Sequence, residues 1–71
     1  MNLNLKKWFG LRKPSEPEAE NMDTLRTRYL ELAESVERLC PQNPDRTVAI
    51  RKLKESMHVA IGSIVCSDAW E

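Results

Sequence analysis

The sequence predicts an all-α protein, an antiparallel helical hairpin preceded by a short docking helix. Three observations carry that prediction. Two long stretches repeat their apolar residues in steps of three and four, a Pro/Asn-containing break separates them, and Gly10 ends a small aromatic-rich segment ahead of both. Apolar residues spaced this way fall on one stripe of a helix.

Leu5, Trp8 and Phe9 make one apolar face of a helix of barely two turns, which Gly10 stops. A helix that short is not stable alone, so residues 1–14 are expected to dock as a separate unit. An amphipathic membrane-surface anchor is the rival reading, because Lys6, Lys7, Arg12 and Lys13 surround the aromatics.

The hairpin is expected over residues 15–67. Its first helix is placed at 16–39, with Met22, Leu25, Tyr29, Leu32, Val36 and Leu39 as the stripe. Ser15 followed by Glu18 fits a capping box, Pro17 is tolerated in the first turn, and Glu16, Glu18 and Glu20 favour the positive end of the helix dipole. Pro41 then ends the helix, Asn43 suits the next N-cap and Pro44 the position after it. So short a connection makes the helices antiparallel neighbours. The second helix is placed at 44–66 with Ile50, Leu53, Met57, Ala60 and Ile64 facing the first, and residues 68–71 form a tail.

Size limits what this hairpin does alone. A chain of 71 residues forms one small domain that buries only about 60% of its unfolded surface. Domains of this size recover stability from disulfides, a metal or self-association. Cys40 and Cys66 would lie at opposite ends of helices about 35 Å long, beyond the ~7 Å limit for linked Cα atoms. With no apolar leader, a reducing cytoplasm is the expected compartment. His58 is the one histidine and no cysteine pair has ligand spacing, so no metal or other cofactor is expected. Self-association remains. Val48, Val59, Ile61 and Val65 flank the second helix's main stripe, more apolar surface than one partner helix covers, and Gly62 with Ser63 leaves a shallow patch for another protomer.

Charge and motifs narrow the function. Eleven basic and eleven acidic residues give zero net charge, which does not indicate a nucleic-acid polymer as partner. No Gly-rich phosphate loop, Cys/His nucleophile pair or paired carboxylate stands out, so the protein is not expected to be an enzyme. Binding is the better class. Arg12, Arg26 and Arg28 sit beside structural junctions, and the planar guanidinium suits phosphate. An adaptor hairpin that binds a protein helix is the alternative from a different class.

In these residues the chain resembles the phage-encoded nucleotide sponges, whose hairpin domain is shared by anti-CBASS and anti-Thoeris proteins. The family pattern opens with Gly-Tyr-Arg, then Leu-Ser and an acid, then Met-Asn, an apolar residue and Lys. This chain has Gly10-Leu11-Arg12, Ser15, Glu18, Met22-Asp23 and Leu25-Arg26, with Val36-Glu37-Arg38-Leu39 closing the first helix. Ala49, Leu53, Glu55, Ala60 and Ile64 are similar in the second. The resemblance implies a homo-oligomer, commonly a hexamer, without stable membrane insertion. It would act in the bacterial host cytoplasm during infection, sequestering cyclic oligonucleotides or cyclic ADP-ribose-type signals without cleaving them. Arg26 stands where the family has a phosphate-contacting lysine. Leu11 stands where it has a tyrosine that stacks on a base, so either Trp8 supplies the stacking surface, or the ligand differs, or that pocket is inactive. Asp23 replaces an asparagine and adds negative charge near the expected phosphate. Thr24 and Arg28 are candidates for a second site where protomers meet.

Overall fold

The computed structural model describes residues 2–10 and 12–69, and three α-helices and one 3-10 turn account for most of them. Helix α1 spans Leu5–Phe9, α2 Glu16–Leu39 and α3 Pro44–Val65, and Ser67–Ala69 forms the 3-10 turn. Helices α2 and α3 pack side by side as the hairpin, in a molecule 43 Å long.

The helix ends form for the reasons the residues give. The Ser15 hydroxyl accepts from the Glu18 backbone N–H at 3.3 Å, and the Ser15 N–H donates back to the Glu18 carboxylate at 3.0 Å, closing the capping box. The Asn43 side chain accepts from the Arg46 N–H at 2.9 Å and starts α3. Arg46 also donates to the Glu37 carbonyl at 3.1 Å, so the turn end is held by a side chain that spans it. Cys66 caps α3, one residue short of the expected end, and the first two residues of the stretch expected as a tail, Asp68 and Ala69, belong to the 3-10 turn.

The apolar stripe of α2 differs from its expected course. Met22, Leu25, Tyr29 and Val36 are half-buried, but Ala33 rather than Leu32 continues the line, while Leu32 and Leu39 are exposed. The cause is periodic. At about 100° per residue Met22, Leu25, Tyr29, Ala33 and Val36 fall within an arc of about 80°, and Leu32 and Leu39 lie just beyond its edge. The stripe of α3 holds throughout, with Ile50, Leu53, Met57, Ala60 and Ile64 all half-buried.

The docking of α1 also differs from expectation. Its attachment is through backbone: the Asn4 N–H donates to the Ala69 carbonyl at 2.6 Å. Of its apolar side chains Trp8 lies against the end of α3, beside Val59, Gly62 and Cys66, while Leu5 at 61% and Phe9 at 78% exposure stay outside. Gly10 ends α1 with an extended backbone, and a Cβ there would lie 2.7 Å from the Lys6 carbonyl oxygen, too close for any other residue without a shift. At Gly62 the same test meets open space, so nothing within one chain demands glycine there.

The core is as thin as the length implies. Among the described residues Ala69 is the one fully buried hydrophobic residue, and α2 and α3 contain none. Among them, too, no helix is long and apolar enough to cross a membrane. Both cysteines are free. Reducing agent is therefore expected to leave the melting temperature unchanged, and a clear drop measured by circular dichroism would contradict this topology.

Candidate functional site

Among the described residues Arg12 is the most heavily bonded side chain, and its bonds are internal. Its guanidinium makes a two-pronged contact with Glu18, Nη1 to Oε1 at 3.0 Å and Nη2 to Oε2 at 2.8 Å. It also donates from Nε to the Val65 carbonyl and from Nη2 to the Ile64 carbonyl, each at 3.0 Å. These carbonyls belong to the last turn of α3, which has no further helix to accept from. Asp68 stands 3.7 Å from Nε. Arg12, expected at the ligand site, thus ties the start of α2 to the end of α3, and its fork is occupied.

The same contact sets the charge of Glu18. Hydrogen bonding from Arg12, followed by that from the Ser15 backbone N–H, pulls its pKa from the ordinary 4.5 to about 2, and the Glu18 bond in turn raises Arg12. A depressed carboxyl pKa contributes stability that is complete above about pH 4.5 and is lost as pH falls through about 2. Carbon-13 titration of Glu18 should show this low midpoint. In Arg12→Ala the midpoint should return most of the way to the ordinary carboxylate range. A Glu18 midpoint unmoved by that substitution would contradict the contact.

Arg26 is in a different setting. It is half-exposed, and among the described residues its one polar contact is with Asp23 at 3.5 Å, a loose pair that leaves its fork available. It stands at the rim of a groove of about 290 Å³ between α2 and α3, with Lys54 also on the lining. The remaining walls are Tyr29, Leu30, Ala33, Ile50, Leu53 and Met57, almost wholly apolar. Tyr29 is held in place by a 2.7 Å hydrogen bond between its hydroxyl and that of Ser56. Ala33 at the bend of the stripe, being small, helps open the groove.

The other candidates are spread over separate surfaces. Asp23, Thr24 and Arg28 line a shallow polar depression of about 360 Å³ with Thr27 and Glu31, where the Thr24 hydroxyl donates to its own helix at the Glu20 carbonyl. Trp8 lines a third groove with Val59, Gly62, Ser63 and Cys66, away from Arg26. Leu11 lies outside the described residues. No family model, curated protein or solved structure matches the chain.

Two groove residues had a weaker sequence signal. Tyr29 reads as one more member of the α2 stripe, and Lys54 as part of a basic run with Arg51 and Lys52. Their proximity to Arg26 follows from the antiparallel register of the hairpin, and a lone charge on a helix does not announce its cross-helix neighbours.

Proposed function

We propose that the protein binds a cyclic nucleotide signal and sequesters it without cleavage, as a homo-oligomer in the bacterial cytoplasm. The observation that supports this reading is the pairing, in one groove, of an apolar lining with Arg26 and Lys54. A nucleotide has that division: a flat base that prefers apolar and aromatic contact, and phosphates that prefer guanidinium and ammonium. Arg26 is also the position at which the resemblance to the nucleotide sponges retains its charge.

The groove's size bears on stoichiometry. Ligand sites usually enclose roughly 300–1,000 Å³, and one groove of about 290 Å³ suits a single base better than a whole cyclic dinucleotide. The ligand would then span two protomers, with assembly part of binding. Titration calorimetry against cyclic di- and trinucleotides and cyclic ADP-ribose isomers tests this, with heat release of the bound molecule to show it intact. Binding of at least one member, recovered unchanged, is expected. Recovery of a hydrolysed product would overturn sequestration, and no binding across the panel would favour the adaptor hairpin.

One observation favours a second reading, a membrane-surface accessory protein. Leu5, Trp8 and Phe9 are exposed, and Lys6, Lys7 and Lys13 lie in the same acid-free segment. Cosedimentation with anionic vesicles, reversed by Trp8→Ala/Phe9→Ala, would support it over sequestration.

A further inference from the structure

Helix α3 carries a second stripe on the side turned away from α2. Val48, Lys52, Glu55, Val59, Gly62 and Cys66 recur in alternating steps of four and three, a pattern that runs down one helix face. Inside one chain the half from Val48 to Glu55 has no covering element, while Trp8 lines a groove beside Val59, Gly62 and Cys66. Val48, Lys52, Glu55 and Val59 are exposed, Val59 at 74%, and a Cβ at Gly62 would meet nothing within 4 Å. Among the described residues neither Lys52 nor Glu55 forms an ion pair, although they sit three positions apart.

We propose that this face binds a second copy of the same chain, α3 against α3 in antiparallel orientation about a twofold axis between Leu53 and Lys54. Self-complementarity carries the argument. That register sets Val48 against the partner's Val59, and Lys52 against the partner's Glu55. The twofold repeats each pair, so two valine contacts and two opposite-charge contacts form from a single helix. At the ends it brings Pro44 beside the partner's Ser63 and Gly62, where the missing side chain leaves room for the proline ring. A twofold interface requires a patch that complements itself, and shifting the register by one heptad loses both charge pairs.

The composition of the stripe also distinguishes the occupant. An anionic lipid surface would gain no net attraction, because the charges of Lys52 and Glu55 cancel. An unrelated helix would not require that the face supply equal numbers of acids and bases at mutually matching positions. A second copy accounts for both the matched charges and the unexplained glycine. The pairing uses the back of α3 and leaves the Arg26 groove, on the side toward α2, open.

Charge exchange in the full chain tests the register, read by sedimentation equilibrium at micromolar concentration with far-UV circular dichroism alongside. The wild type is expected at no less than twice its 8.2 kDa mass. Lys52→Glu places two like-charge contacts in the seam and Glu55→Lys does the same with opposite sign, so each alone should weaken the association by about tenfold or more. The double exchange Lys52→Glu/Glu55→Lys should restore it. Where a single variant loses helix as well as mass, recovery of both in the double variant remains the deciding readout. A monomeric wild type, a single variant with undiminished association, or a double variant that fails to recover would each overturn the proposal.

Discussion

Arg26→Ala is expected to weaken binding of the cognate cyclic nucleotide by about tenfold or more, with helicity and oligomer mass unchanged. A hydrogen bond to a charged group is worth about 1.5–3 kcal/mol, and a loss of 1.4 kcal/mol corresponds to about tenfold in affinity. Helix stability should not move, because among the described residues the wild-type side chain's one polar contact is the loose 3.5 Å pair with Asp23. Arg28→Ala is the matched control. It removes an arginine two positions away that lines a different depression and sits 4.0 Å from Glu31, so affinity should stay within a factor of about two, consistent with the small worth of exposed pairs. Calorimetric titration of both variants separates the groove from the polar face, and equal losses in both would show that general positive charge, rather than this groove, attracts the ligand.

Leu53→Asp should have the largest effect on the fold itself. Leu53 lines the groove that holds Arg26 on one side of the helix contact and the depression around Leu32 on the other, so it stands at the centre of the contact between α2 and α3. A carboxylate at this half-buried position loses leucine's apolar contacts and part of its own hydration, at a cost of about 2–5 kcal/mol. A domain this small holds only about 3–5 kcal/mol in its core. Far-UV circular dichroism should therefore show most of the helix signal gone at room temperature. Leu53→Met preserves volume and should cost less than about 1.5 kcal/mol. A fully helical Leu53→Asp would place the hairpin contact on another face of α3.

Helix positions were readable because they rest on local chemistry. Ser15, Glu18, Asn43 and Pro44 act on backbone groups within four residues, and the bounds of α2 and the start of α3 follow from them. The stripe of α3 was readable for the same reason. Other features depended on relations the linear pattern does not contain. Leu32 and Ala33 are adjacent in sequence, and which of them meets α3 depends on where the centre of the contact face lies, which the packing of the two helices sets. Arg12 was read as a phosphate ligand because it follows the Gly10 break and its planar fork suits phosphate. The nearest anion is Glu18 of the same capping box, and the nearest unsatisfied carbonyls belong to residues more than fifty positions away. The Arg26 groove was half legible: the charge stood out, but its apolar lining and Lys54 required the register.

The Arg12 clamp also orders events in time. Its bond to the Val65 carbonyl joins positions 53 apart in sequence, and forming it from an open chain means closing a long loop for one side chain's contacts. The cost of such closure grows with the logarithm of loop length. Once α2 and α3 have zipped from the turn, the two ends already lie side by side and that cost is largely removed. The clamp is thus expected to be the last contact made on folding and the first released on unfolding. Amide protons in the final turn of α3 and in the Asn4–Ala69 link should exchange through this small opening, while those near Leu53 wait for the whole hairpin to part.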